Sequence, residues 1–138
     1  MNIANIRAFF MSVVTTAAGA DVFVTAEGDI SKPDQKQQRV RVKVFSLETV
    51  SIQGRSGIGL YRRKEEPGRV NIDVYGPMKD GIIGVETVAN AIVNAITTST
   101  YTVGGDQLII WAVWAEAVLE ETPYFRVTVF ARWSLLHI

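Results

Sequence analysis

Three segments of the sequence alternate between apolar and mostly polar residues, and this two-residue period constrains the fold more than any other feature. The apolar positions are Val40, Val42 and Val44 in the first segment, Val70, Ile72 and Val74 in the second, and Phe125, Val127, Val129, Ala131, Trp133 and Leu135 in the third. Because successive side chains of a strand point to opposite faces, each segment is typical of a strand with one buried face. The pattern predicts an antiparallel or mixed β-sheet whose other face meets solvent.

Two further segments have the longer period of an amphipathic helix. The first begins at Ile3 with Asn2 as its N-cap and ends at Gly19, whereas the second follows Gly81 and ends near residues 97–100. Their apolar positions are Ile3, Ile6, Phe10, Val13, Val14 and Ala17, and then Val85, Val88, Ala89, Ile92 and Ile96. Strands and helices without regular βαβ alternation predict an α+β fold, with both helices packed on one face of the sheet.

The length and charge of the chain limit the classes of protein to which it can belong. With 138 residues, the chain is predicted to form a single domain over residues 1–138. Lys and Arg together number 14, and Asp and Glu together also number 14. The net charge is therefore close to zero, and no overall electrostatic field attracts nucleic acid or an acidic membrane. The longest apolar run, residues 108–115, is too short to cross a membrane as a helix. The amino terminus does not resemble a secretory signal, so we expect the cytoplasm as the site of assembly.

Residues that could perform chemistry are few. The sequence has no cysteine, and His137 is its only histidine, which leaves triads and metal sites without their usual ligands and bases. The pairs Glu65–Glu66 and Glu120–Glu121 stand near prolines and are typical of solvated turns. The glycines of segment 54–59 lack the lysine and the following helix of a phosphate-binding loop. We therefore predict that the protein is not an enzyme and that it uses no cofactor and no metal.

The basic residues of the alternating strands leave a binding function open. Arg39, Arg41, Lys43, Arg126 and Arg132 fall on the predicted solvent face, with Tyr75 and Phe130 between them. Such a face is found in sheet-based nucleic-acid binders. Asp73 interrupts the strip, and an ordinary charged face or a subunit contact is the favoured interpretation.

The segment 108–115 is apolar on both faces, which a strand in a one-sided sheet should not be. It contains Trp111 and Trp114, and Trp133 belongs to the last strand. Either helices cover this segment as part of the core, or a neighbouring subunit covers it, because aromatic residues are enriched in interface cores. The sequence leaves these two alternatives open.

The segment from Val50 to Pro67 is predicted to be a long β-hairpin arm that becomes ordered on contact with a partner. Its glycines raise the entropy of the free state, and Pro67–Gly68 is a turn signal. Basic and apolar side chains are mixed in the arm, as in an inducible interface. The candidate interface residues are Arg55, Ile58, Leu60, Tyr61, Arg62, Arg63 and Lys64 of the arm, together with Trp111 and Trp114.

The order of these segments resembles that of the tail terminator, or tail completion, proteins of long-tailed bacteriophages, a family that includes the terminator of phage lambda. The resemblance covers most of the chain. It rests on the first helix, the strand at 39–45, the arm, the helix at 85–92 and the closing strands. The stretch Gly68-Arg-Val-Asn-Ile-Asp-Val-Tyr-Gly-Pro77 is similar to the family's G-x-x-x-I-D-V-x-x-P signature.

This resemblance implies a structural role in a virion. Proteins of the family form a ring, usually a hexamer, that caps the tail tube, stops its polymerisation and presents a surface for head–tail joining. The implied partners are further copies of the chain, the tail tube protein and the head–tail connector or neck protein. Genomic DNA would pass through the lumen without sequence-specific binding, and no membrane is involved. The implied location is the head-proximal end of the tail. The alternatives are a neck or head-closure protein and a small nucleic-acid-binding module.

Overall fold

The computed structural model describes residues 3–19, 22–26, 39–46, 50–52, 63–96 and 100–136. The helices are α1 (Ile3–Ala18) and α2 (Gly81–Ala95), with a short 3-10 helix at Met78–Asp80 before α2. The strands are β1 (Phe23–Ala26), β2 (Arg39–Ser46), β3 (Val50–Ile52), β4 (Arg63–Pro77), β5 (Thr100–Val103), β6 (Asp106–Ala115), β7 (Leu119–Glu121) and β8 (Tyr124–Leu136). The architecture is α+β, as predicted from the sequence.

The described strands form one eight-stranded sheet. Its order is β1-β2-β4-β8-β6-β5, with β3 paired to β4 and β7 paired to β8 beside this path. The sheet is mixed, because β1 runs parallel to β2 whereas the other described pairs are antiparallel. The long strands β4 and β8 lie at its centre and pair from Glu65–Leu136 to Pro77–Tyr124.

The core lies between the helices and one face of the sheet. The strand positions predicted to point inward are buried where their side chains are described, except for Phe125, which is only partly buried. Helix α1 packs against β1, β2 and β5, helix α2 packs against β4, β6 and β8, and the two helices contact each other. Both helices contribute to the same apolar cluster as the inward strand residues. The prediction of two helices on one face is confirmed.

The turn predicted at Pro67–Gly68 is wrong, because β4 continues through both residues. Gly68 is needed for packing: a Cβ atom at this position would lie 2.0 Å from Cζ2 of Trp133, which is paired with Gly68 on β8. On one edge, β4 pairs with β2 up to Gly68, which lies opposite Ser46, and with β3 from Glu65, which lies opposite Val50. Pro67 lies between these two ladders. Proline has no N–H for a ladder bond, and it is tolerated where a ladder is interrupted.

The predicted arm is therefore shorter than the segment from Val50 to Pro67. Its two ends form the antiparallel pair β3–β4, which is the base of a hairpin. Residues 65–67 also pair with β8 and belong to the centre of the sheet. Glu66 is buried there, so the prediction of a solvated turn at Glu65–Glu66 is wrong for this residue. The tip of the arm, residues 53–62, lies outside the described residues.

Two short strands were not predicted. Strand β5 forms a hairpin with β6 through Gly104 and Gly105, whose φ angles are +60° and +87°. Positive φ at both central residues is typical of the two-residue turn that joins twisted antiparallel strands. The β-branched and aromatic sequence Thr100-Tyr-Thr-Val103 before two glycines was a usable signal for this hairpin. Strand β7 pairs with the start of β8.

Candidate functional site

The face of the sheet opposite the helices, here called the outer face, holds most of the unusual side chains. The register of β4 and β8 aligns Arg69 with Arg132, Asn71 with Phe130 and Asp73 with Thr128. Because alternate residues of a strand share a face, these residues lie on the face of the sheet that does not carry the buried Ile72 and Val129. The outer face was predicted to be wet, and the structure shows that it is wet only in part.

A β-bulge in β6 determines the position of Trp111. The register pairs Ile110 with Trp133 and Ala112 with Arg132, which leaves Trp111 as the extra residue. A bulge of this kind changes the direction in which a side chain points. The indole Nε1–H of Trp111 donates a hydrogen bond to Oγ of Ser134 at 2.7 Å, yet the side chain remains 58% exposed. Trp111 is thus held in one orientation on the outer face while most of its ring meets solvent.

The second exposed tryptophan, Trp114, belongs to a stack. Its ring lies nearly parallel to that of Phe130, with an interplanar angle of 20° and 5.5 Å between centroids. The guanidinium carbon of Arg132 lies 5.9 Å from the Trp114 ring centroid, within the range of a cation–π contact. Trp114 remains 37% exposed.

We call Trp111, Trp114, Phe130 and Arg132 the aromatic patch. Beside it is a pocket of about 400 Å³ that also includes the exposed Arg69. The patch combines flat apolar rings with cationic side chains. This composition suits a partner surface that offers both apolar area and negative charge.

The structure divides the three tryptophans between core and surface. Trp133 is fully buried and packs over Gly68, so it belongs to the core. Leu108 and Ile110, from the segment that is apolar on both faces, are also buried against the helices. Trp111 and Trp114 are the exposed members. The core alternative is therefore confirmed for Trp133, Leu108 and Ile110, whereas cover by a neighbouring subunit stays a prediction for Trp111 and Trp114.

The predicted basic strip crosses three neighbouring strands, β2, β4 and β8, and it is interrupted on β4. Positions 39, 41 and 43 of β2 align with Tyr75, Asp73 and Asn71 of β4, and Arg126 and Arg132 follow on β8. Asp73 interrupts this series, as expected, but it is buried rather than solvated. Its Oδ1 accepts a hydrogen bond from Oγ1 of Thr128 at 2.8 Å. At positions 39, 41 and 43 the structure describes the backbone only.

A second surface, which the sequence reasoning missed, lies where α2 begins and β6 ends. A cavity of about 470 Å³ is lined there by Ile82 and Glu86 of α2 and by Glu116 and Val118, which follow β6. The backbone N–H of Glu116 donates to the carbonyl oxygen of Thr128 at 3.1 Å, which anchors this connection to β8.

The exposed residues of this second surface are apolar and acidic. Ile82 is 45% exposed, and Ile83, the next residue of α2, is 79% exposed. We call the set Ile82, Ile83, Glu86, Glu116 and Glu120 the acidic patch. A signal for it was present in the sequence, because Ile83 is out of phase with the buried stripe of α2 and therefore has no place in the core.

The other candidate interface residues are less well placed by the structure. Arg63 and Lys64 pair with Ile52 and Ser51 at the amino-terminal end of β4. Strand β8 separates β4 from β6, which carries Trp111 and Trp114. Arg55, Ile58, Leu60, Tyr61 and Arg62 lie outside the described residues, as does His137. Within the described part of the chain, no three His, Asp or Glu side chains group as metal ligands. No helix in that part is long and apolar enough to cross a membrane.

No family model and no curated protein sequence matches the chain. Solved structures do match it. One of them aligns with all of this chain and 98% of its own chain, with a TM-score of 0.72 and 18% sequence identity. Another is described as the virion of a native gene transfer agent (GTA) particle, and it aligns with 98% of this chain and 91% of that chain, with a TM-score of 0.53 and 13% identity.

The chain shares its fold with a virion protein. At these levels of identity, the likeness concerns the fold and not individual side chains. Because both alignments run over nearly the whole of each chain, the shared feature is the complete arrangement of helices and sheet rather than one hairpin or one helix pair.

Proposed function

We propose that this protein is a structural component of a virion, in which it forms a ring that caps the tail tube of a long-tailed bacteriophage. The observation that carries the proposal is the likeness of its fold to a chain of the GTA virion over 98% of its length. The order of segments that resembles tail terminator proteins supports the finer assignment. The ring would stop tube polymerisation and provide the surface for head–tail joining.

The signature-like stretch from Gly68 to Pro77 has a clear structural role in this protein. It forms most of β4, one of the two central strands. Gly68 accommodates the Trp133 ring, Ile72 is fully buried, and Asp73 accepts a hydrogen bond from Thr128. These residues therefore build the sheet on which any assembly surface is carried. This role supports a fold-level relationship to the terminator family.

The surface of the described residues also suits assembly. Single exposed apolar residues are normal on soluble proteins, whereas here Trp111 and Trp114 share one patch, and Ile82 and Ile83 are adjacent at the start of α2. Grouped exposed apolar residues with polar neighbours are typical of protein–protein contact sites. The proposed partners are further copies of the chain, the tail tube protein and the head–tail connector, with DNA passing through the lumen.

Electron microscopy of the purified protein tests the proposal directly. We expect closed rings of one symmetry, most simply hexamers, either alone or after addition of the tail tube protein of the same virus. Tube growth should stop at a defined length when the protein is added. Rings that bind the head connector but leave tube growth unchanged would identify a neck protein instead. A protein that stays monomeric with and without tubes, and leaves their length unchanged, would contradict the proposal.

We expect the protein to have no hydrolytic or transfer activity, so its only histidine should be dispensable. Deletion of His137 and Ile138 should leave ring formation within about twofold of wild type, since both residues follow the end of β8 at Leu136 and substitutions away from packed elements usually have small effects. Ring formation can be measured by sedimentation velocity. If a turnover is detected in the intact chain and the deletion abolishes it without loss of fold, the proposed non-enzymatic role is wrong.

The hairpin tip is expected to act in assembly and not in folding. The paired ends Ile52 and Arg63 can be joined directly by an Asn-Gly turn in place of residues 53–62, because such a turn closes an antiparallel hairpin. We expect the shortened protein to melt cooperatively, within about 1 kcal/mol of wild type, but to lose ring stability or tube capping. The matched control replaces the same ten residues with a Gly-Ser linker of equal length. A shortened protein that still forms rings and still terminates tubes would contradict this expectation.

A further inference from the structure

We infer that neighbouring subunits contact each other head to tail, with the aromatic patch of one copy docked on the acidic patch of the next. This inference rests on the proposed self-assembly and specifies its contact. The two patches contain four of the five large apolar side chains that are exposed among the described residues, namely Ile82, Ile83, Trp111 and Trp114. The fifth, Leu119, pairs with Arg126 on the outer face and belongs to neither patch. A contact between the patches would remove the four side chains from water.

The charges of the two patches are complementary. Arg132 is exposed within the aromatic patch, and the exposed Arg69 lines the adjoining pocket. The acidic patch offers the exposed carboxylates of Glu86, Glu116 and Glu120. Opposite potentials across an interface increase the association rate and fix the register of the partners. The exposed Lys79 and Asp80 before α2 carry opposite charges, so together they leave the acidic character of that end unchanged.

The shapes of the two patches also favour this pairing. Trp111 projects from the bulge with more than half of its surface exposed, while its Nε1–H is already bonded to Ser134. The cavity of the acidic patch, about 470 Å³, falls in the size range of pockets that enclose small organic groups. A tryptophan that enters such a pocket is a typical hot spot. Because Trp111 is already held in one orientation, docking would immobilise few additional rotatable bonds.

The positions of the patches determine the type of symmetry. The aromatic patch lies on the outer face of the sheet, whereas the acidic patch is built around α2, which covers the opposite face. In a two-fold contact, both patches of each subunit would have to lie on the surface that faces the partner. Patches on opposite sides of a subunit cannot do so. Each association therefore leaves one aromatic patch and one acidic patch free. Heterologous contacts of this type generate rings when the rotation closes.

Charge reversal tests the contact. Arg132→Glu and Glu116→Arg each place like charges across it and should raise the dissociation constant between subunits by at least about a hundredfold. An equimolar mixture of the two variants should assemble, because each copy then meets an opposite charge on both sides. The double variant in one chain should also assemble. The matched controls are Ser12→Glu and Ser12→Arg, which add the same charges at an exposed position of α1.

Assembly is read from sedimentation velocity and from ring counts in electron micrographs, with circular dichroism as the check on folding. If Arg132→Glu fails to fold, Arg69→Glu replaces it, because Arg69 is exposed beside the same pocket. If the wild type forms rings and both single variants form them equally well, this contact is wrong while the proposed function stands. If the wild type is monomeric with and without tubes, the proposed function fails, and the contact fails with it.

Nucleic acid is the other occupant that an arginine-rich aromatic face could take. The Arg132→Glu variant therefore has a second measurement, its affinity for duplex DNA as a function of salt. Unchanged ring formation together with a lost, steeply salt-dependent DNA affinity would overturn the inference and assign the patch to nucleic acid. Lost ring formation that is rescued by the Glu116→Arg partner supports the subunit contact, because DNA binding predicts no such rescue.

Discussion

Replacement of Ile72 by aspartate is expected to unfold the protein. Ile72 is fully buried at the centre of the sheet, where it pairs with Val42 on one side and Val129 on the other. The substitution removes the buried side chain, which costs about 2–5 kcal/mol for an isoleucine. It also buries a carboxyl group in an apolar environment, which costs several kcal/mol more, whether the group is charged or protonated. The sum is comparable to the whole stability of a typical domain, about 5–15 kcal/mol.

Thermal melting followed by circular dichroism measures this effect. The matched control is Ile83→Asp, since Ile83 is 79% exposed and its replacement should change the free energy of unfolding by only about 0.5 kcal/mol. Because Ile83 belongs to the acidic patch, the control is compared for folding only. A soluble Ile72→Asp variant with a cooperative transition would show that the register of β4 is wrong.

Alanine at Gly68 is expected to destabilise the protein by about 3 kcal/mol, although the change adds only one methyl group. The new Cβ would lie 2.0–2.5 Å from three atoms of the Trp133 ring. Trp133 is itself only 1% exposed, so its ring has little room to move without displacing other core residues. Close-packed interiors transmit such strain because they contain few voids.

A double-mutant cycle identifies Trp133 as the cause. Trp133→Leu alone should also destabilise the protein, because it leaves a cavity over Gly68. In the double variant, the leucine makes room for the added methyl group. The combined loss should therefore be smaller than the sum of the single losses by about 1–3 kcal/mol. Additive losses in denaturant-unfolding experiments would show that the ring does not lie over Gly68.

Gly68 is also the position where the local sequence was most misleading. A Pro-Gly pair is a local turn signal, and it predicted that the arm ended at Pro67–Gly68. The residue that requires a glycine here is Trp133, which belongs to the last strand and meets Gly68 only when β4 and β8 pair. A local signal cannot report a contact made across the sheet.

Glu66 and strand β5 were also not predicted correctly, for two different reasons. The acidic pair Glu65–Glu66 was assigned to a solvated turn because charged residues beside proline are usually exposed. The pairing of β4 with β8 buries Glu66 instead. Strand β5, in contrast, had an adequate local signal in its sequence and in Gly104–Gly105, which was interpreted only as a turn.

The buried side of each regular element follows from its local sequence alone. The two-residue period placed Val40, Ile72 and Val129 inward, and the helical period did the same for Phe10 and Ile92, because these periods follow from backbone geometry alone. They led to the α+β sheet with both helices on one face.

Which of the remaining apolar residues stay exposed depends on contacts between distant parts of the chain. Trp111, Trp114 and Trp133 are the same type of residue, yet they differ in exposure. The bulge in β6 directs Trp111 to the outer face, whereas Trp133 packs over Gly68 in the core. Similarly, Ile83 is exposed because the buried stripe of α2 is already complete without it. The exposure of an apolar side chain depends on what the neighbouring strand or helix covers. That neighbour is known only once distant parts of the chain have come together.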